Sequence, residues 1–351
     1  MPASGRPRRA WSRAGILLAL SLSLAGVIIL ATSLGTVAIP FAQVAGMVAR
    51  RLLGWRFLAG GSPQAEAIIL QIRLPRVVTA AVVGSALAAA GTVFQGLLRN
   101  PMADPYIIGT SGGAALGATL ALILPWQVVW LGFTPVPILA FAGAMSAVLI
   151  VYRVARVGPR TPITTLLLTG FALSSLMAAV MSFLMLAGTQ TLQRVVLWTM
   201  GGTTASGWTQ LRVVTPLILV GVMLAFLLAH DLNAFLLGEE QAAHLGVNVE
   251  RRKLALLMVG SLLTAAAVSV SGLVGFVGLV VPHVARLLFG PDHRFLLPAA
   301  ALVGAIFLVL ADLVARLLLS PAEIPVGIIT ALIGAPFFIY LLRRSKREVA
   351  F

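Results

Sequence analysis

Residues 163–187 read ITTLLLTGFALSSLMAAVMSFLMLA, 25 residues without one charged side chain. Coiled as an α-helix, such a run spans roughly 37 Å, more than the roughly 30 Å hydrocarbon core of a bilayer. Inside that core no water reaches backbone N–H and C=O groups, so a spanning segment must satisfy them itself, as a helix does. Nine further apolar stretches obey the same logic: 14–38, 68–98, 106–124, 136–156, 211–230, 254–273, 275–289, 296–319 and 325–342. Over all 351 residues the hydrophobic fraction is 60%, the charged fraction 10% and the mean hydropathy +1.04. No room is left for a large soluble domain. The chain reads as an all-α integral membrane protein, with ten transmembrane helices in residues 14–342 between an N-terminal tail, 1–13, and a C-terminal tail, 343–351.

The charge distribution sets the orientation. Ten spans put both tails on one side. With that side inside, 17 of the 25 Lys and Arg residues fall on cytoplasmic segments and 8 on outer ones. Positive residues accumulate on the cytoplasmic side of membrane proteins, so both termini are expected there. The net charge of +15 is therefore topological and implies no nucleic acid, because no exposed basic domain exists to bind one. The basic start, Arg6 to Arg13, precedes an apolar run longer than a signal-peptide core of about 7–15 residues. It is read as a retained first helix. Cysteine is absent, which excludes disulfides and thiolate metal sites. Five of the eight outer basic residues (Arg50, Arg51, Arg56, Arg73, Arg76) crowd between the first two spans, and that excess on the disfavoured side invites a functional reading.

Several motifs punctuate the spans. Arg73-Leu74-Pro75-Arg76 places Pro75 in the first turn of a helix, where its missing N–H costs nothing, and two guanidiniums at the outer mouth. They suit either lipid headgroups or the carboxylates of an acidic partner, which Arg grips bidentately. Arg99-Asn100-Pro101-Met102-Ala103-Asp104-Pro105, after Gln95, ends one helix and opens the next, with Asp104 placed to cap the third span. The loop from Asp231 to Arg252 reads as two short helices. Asp231 or Asn233 would cap the first, Gly238 break it, and Gly246 stop the second, whose acids Glu239 and Glu240 lie in its first turn. It suits either a lever for a partner or a hairpin lying on lipid. Gly272, Gly275 and Gly278 interrupt the run between spans seven and eight. His283, Asp292 and His293 match no usual zinc spacing, and pairing of Asp292 with a neighbouring arginine is the ordinary reading. Asp312 and Arg316, four apart, share a helix face and can pair; a lone charge there would cost about 2.5–3.5 kcal/mol. Glu323 closes the same outer turn. Met177, Met181 and Met185 form a stripe, suited to packing or to a soft wall for a bulky ligand. Gly84, Ala88, Gly91, Gly113 and Gly117 offer small surfaces for close helix packing.

Absences narrow the function. No G-x-x-x-x-G-K-[ST] phosphate loop is present, so this chain cannot hydrolyse nucleotide alone. No chain of intramembrane carboxylates suggests an ion-coupled transporter, and no catalytic set occupies one membrane face.

Arg73-Leu74-Pro75-Arg76, Gln95 with Asn100-Pro101-Met102-Ala103-Asp104-Pro105, Leu245-Gly246, Gly275-Phe276-Val277-Gly278-Leu279-Val280-Val281-Pro282-His283, Asp292-His293-Arg294 and Glu323-Ile324-Pro325-Val326-Gly327 occur in this order. The ordered set resembles the FecCD family of ABC import permeases, which carry ferric siderophores, haem and cobalamin, over residues 15–344. The resemblance implies a ten-helix subunit in the bacterial inner membrane, paired with a second copy of itself. Two ATP-binding subunits, holding ATP and Mg, would sit below it. A periplasmic or lipid-anchored substrate-binding protein would sit above. It also implies that Arg73, Arg76 and Arg316 dock that protein. A coupling loop at about 231–250 would meet the ATPase through Leu236, Gly238, Glu239, Glu240, Ala243, Leu245 and Gly246. The pathway would run along span five, with Met177, Met181 and Met185, and its inner gate at Thr161, Pro162, Ile163 and Thr164. Pro162 and Ile163 depart from the small hydroxylated residues common at that gate. Pro105, Pro282, His283, Arg286, Pro325 and Gly327 would serve as structural motif residues. An iron chelate is the expected cargo and a corrinoid the alternative.

Overall fold

The computed structural model describes residues 12–35, 39–53, 62–124, 134–187, 192–203 and 207–349. Most of the N-terminal tail, residues 36–38 of the first expected span, and Arg56 lie outside them. The described chain forms helices α1 Arg13–Ser33, α2 Phe41–Leu53, α3 Pro63–Leu97, α4 Thr110–Ile123, α5 Pro135–Ala155, α6 Ile163–Ala187, α7 Leu192–Thr199 and α8 Trp208–Leu227. Next come α9 Ala229–Leu236, α10 Glu239–His244, α11 Val249–Ser271, α12 Val277–Phe289, α13 His293–Leu317 and α14 Val326–Val349. Among the described residues the only strand-like pairing is a single bridge between Val157 and Arg160. Seven helices (α1, α3, α5, α6, α8, α11, α13) are long and apolar enough to cross a membrane, and α4, α12 and Val326–Leu341 of α14 are shorter apolar helices.

Helix α3 is the centre of the bundle. Its apolar stretch is 83% buried, against 72% for α11, 61% for α13, 17% for α6 and 6% for α1. Glycine makes that centre possible. A Cβ at Gly84 would enter the carbonyl of Gly304 on α13, and one at Gly91 the carbonyl of Gly278 on α12. The expected small-residue surfaces are thus backbone-to-backbone crossings. Gly113 and Gly117 make the same approach to Gly143 and Leu139, joining α4 to α5.

The structure departs from the sequence reading at defined points. Helix α1 ends at Ser33, where Thr32 and Ser33 turn their carbonyls to the Arg73 guanidinium at 3.2 and 3.1 Å. The amphipathic α2 comes after it, burying Val44 and Met47; Arg50 and Arg51 had masked it in the hydropathy. Pro75 stands in the first turn of the α-helical segment Leu74–Leu97, as expected, but that segment continues a longer helix. Helix α3 begins twelve residues earlier, and a π-helical turn over Ile68–Arg73 precedes the proline, a local widening that re-registers the hydrogen bonds Pro75 cannot make. Asp104 caps no helix. Its Oδ1 accepts from Tyr106 N at 2.8 Å in a tight turn, and α4 starts later, at Thr110 after Gly109. Neither Asp231 nor Asn233 caps α9, because Leu228 stands at its N-cap. The two short helices do form, broken at Gly238 (φ +113°) and stopped before Gly246 (φ +84°).

Replacing Gly91 by Ala should force α3 from α12 and cost about 1–3 kcal/mol, the usual penalty of overpacking. Gly26 has open space around its Cβ position, so Gly26→Ala should leave the melting midpoint of the detergent-purified protein unchanged or raised. Comparison of the two midpoints checks the crossing.

Candidate functional site

Polar groups gather at the two ends of this bundle. At the end where α3 begins and α13 finishes, Asp312 is 1% exposed and collects three donors. Arg76 Nε reaches Oδ1 at 3.1 Å, Arg316 Nε reaches Oδ2 at 3.0 Å, and Thr203 Oγ1 donates at 2.7 Å. Arg76 Nη1 extends to both oxygens of Glu323 at 2.9 Å. Arg316 also donates to Ala31 O at 2.8 Å and Leu34 O at 3.3 Å. Together with Arg73, it satisfies carbonyls at the C-terminus of α1 that no helical N–H can reach. Cations are favoured at that negative end of the helix dipole. The expected pairing of Asp312 with Arg316 is present, and Glu323 belongs to the same network. Arg73 and Arg316 are 7% and 8% exposed. Only Arg76, through Glu323, leads to the surface.

After α3, the Asn100–Gly109 turn packs on the break between α11 and α12. Asn100 Oδ1 accepts from Met102 N at 2.9 Å, and Gln95 Nε2 donates to Leu279 O at 3.0 Å. Tyr106 Oη donates to Val274 O at 3.0 Å. Pro101 lies in the turn, and Pro105 sits where a Cβ on Gly278 would fall. Burial pushes the Asp104 carboxyl up to about 6, against the hydrogen bond from Tyr106 N. The break is real: Gly272 and Phe276 adopt φ +64° and +67°, and a Cβ on Gly272 would enter the carbonyl of Trp198. Pro282 is buried inside α12, with His283 and Arg286 beyond it. Pro325 accepts from Ile328 N at 3.0 Å, and Gly327 lies against the carbonyl of Met200.

The opposite end carries α9 and α10. Asn233 on α9 donates to Asp292 at 2.8 Å and accepts from His293 N at 2.9 Å. Asp292 also pairs with Arg13 at 2.9 Å and Arg294 at 3.3 Å, the expected arginine pairing. The Asn233 hydrogen bond, then Arg294 N and the two arginines, hold its carboxyl well below the usual range. Leu236, Glu240, Ala243, Leu245 and Gly246 are exposed, whereas Gly238 is buried and Glu239 half-buried. The loop is thus pinned behind and presents one mixed apolar and acidic face. Thr161, 2% exposed, lies beside it, ahead of exposed Pro162, half-buried Ile163 and exposed Thr164. Sequence reasoning missed what sits between them. Lys253, Glu250 and Glu239 form a knot with Thr161 around the buried Lys253. The available signal was that Lys253 is one of only two lysines in the chain.

Helix α6 leaves this end with a bare flank. Phe171, Leu176, Phe183 and Leu186 are 74%, 61%, 71% and 80% exposed, while Met177, Met181 and Met185 lie along the same helix.

Comparison with known proteins gives this arrangement a context. The model of the FecCD transport family matches residues 20–344. A solved chain described as a putative metal-chelate type ABC transporter, in an inward-facing conformation, superposes with a TM-score of 0.81 at 34% identity, covering 94% of this chain and 99% of that one. The cobalamin import system permease protein of Halobacterium salinarum is 51% identical over 290 residues, 82% of this chain and 76% of the relative. The hemin transport system permease protein of Yersinia pestis is 44% identical over 283 residues, covering 80% and 84%. The chain belongs to the FecCD transport family, a family of multi-pass membrane permeases.

Removing one partner of a buried pair strands the other charge. Asp312→Asn should therefore destabilise the protein by about 3–5 kcal/mol. Glu323 is 40% exposed, and Glu323→Gln should cost under about 1 kcal/mol. Thermal unfolding of the two purified variants separates these cases.

Proposed function

We propose that this chain is the membrane-spanning permease of an ABC importer that moves a bulky metal chelate into the cytoplasm. The match to the FecCD family over residues 20–344 carries this reading. In it, ten helices cross the plasma membrane with both termini inside, and a second copy covers the bare flank of α6. Separate subunits bind ATP and Mg and press on the exposed face of α9 and α10. A substrate-binding protein delivers cargo at the end holding Arg73, Arg76 and Arg316. No side chain of this chain does covalent chemistry. Its task is to alternate between outward and inward shapes while offering the cargo a wall too adaptable to hold it.

Iron chelates, haem and corrinoids remain the cargo class. The relative at 51% identity is a cobalamin permease, and that observation favours the corrinoid reading. The experiment is uptake into vesicles containing this permease, its genomic ATPase and its binding protein, with cobalamin, haem and ferric siderophore offered in parallel. ATP-dependent uptake of one is expected. Uptake of any without the ATPase overturns the importer reading.

Arg76 is the docking arginine nearest the surface, and Glu323 competes for it at 2.9 Å. Arg76→Gln should weaken docking of the binding protein while Arg316 keeps Asp312 paired and the permease–ATPase complex still assembles. Glu323→Gln should tighten docking by freeing Arg76. Binding titrations of both variants test this, and unchanged docking in both removes Arg76 from the interface.

A further inference from the structure

Helix α10 packs through the buried Ala242, and its polar side-chain attachment is narrow. Among the described residues, Glu239 makes the only side-chain bond from α10 to another helix, accepting from Lys253 Nζ at 3.0 Å. Lys253 stands in the first turns of α11 and is 4% exposed. Its ammonium has three donors, and all three are used. The second goes to Glu250 Oε1 at 3.2 Å, and the third to the carbonyl of Thr161 at 3.1 Å. Glu250 Oε2 then accepts from the N–H of the same Thr161 at 3.1 Å. The backbone of Thr161 is therefore gripped from both sides, by a cation at its carbonyl and an anion at its N–H. Both bonds are charge-assisted, the stronger kind.

Pro162, the next residue, makes the grip consequential. It has a fixed φ and no N–H, so it cannot absorb a displacement by swivelling. Its carbonyl accepts from Leu166 N at 3.0 Å, already inside α6. The loop before it is equally short of slack: Val157 and Arg160 pair across Gly158, and Arg156 Nε holds the Gly158 carbonyl at 3.0 Å. A shift of α10 therefore has a continuous path of short bonds to the first turn of α6. Within its own chain that helix is only 17% buried over its apolar stretch, so its start is among the few points where the chain holds it.

We propose that Lys253 is a positioning residue that carries displacement of α10 to Thr161 and the start of α6, so that movement of the stub helices and opening of the 161–164 stretch are one event. The proposal rests on the importer reading above and adds the residue that couples its two moving parts. It assigns Glu239 as the input contact and Glu250 as the second jaw of the clamp.

The test uses the full complex in vesicles, with ATP hydrolysis and cargo uptake measured on the same preparation. Uptake by the unaltered complex that does not depend on ATP sinks the importer reading, and the clamp with it. Given ATP-dependent uptake, Lys253→Met should lower cargo moved per ATP by about tenfold, within the common range of coupling between sites, while hydrolysis continues. Lys253→Arg, which keeps the charge and the donors, should restore most of it. Glu239→Gln removes only the charge of the input contact, at a half-exposed residue, and should uncouple partially, so it decides the matter if Lys253→Met fails to assemble. Unchanged cargo per ATP in Lys253→Met, or in Glu239→Gln where that variant decides, overturns the clamp alone. So does a proportional fall of hydrolysis and uptake, which is the signature of a merely structural role.

Discussion

The close approach of α3 to α12 and α13 governs the rest of the molecule. In hydrocarbon, burying an apolar side chain gains nothing over leaving it against lipid, so helices associate through packing contact and polar bonds. Contact is densest where side chains are absent. Gly84 against Gly304 and Gly91 against Gly278 bring backbones together, and α3 becomes an axle with α11, α12 and α13 around it. The crossings also set the register of the ends. Once Gly84 faces Gly304, the start of α3 lies beside the end of α13, and Arg76 must meet Asp312. Once Gly91 faces Gly278, Gln95 meets the carbonyl of Leu279.

The ends solve one electrostatic problem in two ways. At one end the guanidiniums of Arg76 and Arg316 hold Asp312, Arg76 also holds Glu323, and Arg73 and Arg316 spread positive charge over the carbonyls that finish α1. At the other, one ammonium sits between two carboxylates, and the excess negative charge points outward on Glu239 and Glu250, both partly exposed. A buried charge is tolerated only when paired and fully bonded. Asp312, Arg316 and Lys253 meet that condition. The hydroxyl of Thr161 does not: it is buried without a partner, an omission worth about 1–3 kcal/mol. It lies at the residue whose peptide is clamped, where local polar satisfaction gives way to holding the backbone.

Much of this was legible in the sequence, and the reasons differ by element. Apolar length marked Ile163–Ala187 to the residue, because nothing charged interrupts it and Pro162 stands before it. Glycine and acid placement marked α9 and α10, since a left-handed break at Gly238 and acids in a first turn are local physics. Spacing marked Asp312 with Arg316. The amphipathic α2 and α7 escaped because their polar faces lower the average hydropathy below that of a span. Asp104 and Asn233 were given to helix caps, the commonest local use of such residues, whereas tertiary neighbours claimed them: Asp104 turns the chain onto the α11–α12 break, and Asn233 holds Asp292 and His293. The Lys253 knot escaped for a related reason. It joins residues 161, 239, 250 and 253, and no periodicity reports a contact across 89 positions.

Burial separates what is built to stay from what is free to shift. Helix α3 and its partners are locked by backbone contact, which admits no gradual sliding because every small displacement meets a carbonyl. Helix α6 has the opposite character: it touches α4 and α5 along one side and leaves large apolar residues bare on the other. A helix so placed is held by few contacts within its own chain, so where it starts governs how it moves. Thr161 supplies that starting point. It is attached through Lys253 and Glu250 to the first turns of α11, and through Lys253 to Glu239 on α10. A mobile helix whose origin is bonded to the exposed lever, in a bundle whose centre cannot yield, has one economical motion: lever and helix move together while α3 stays still.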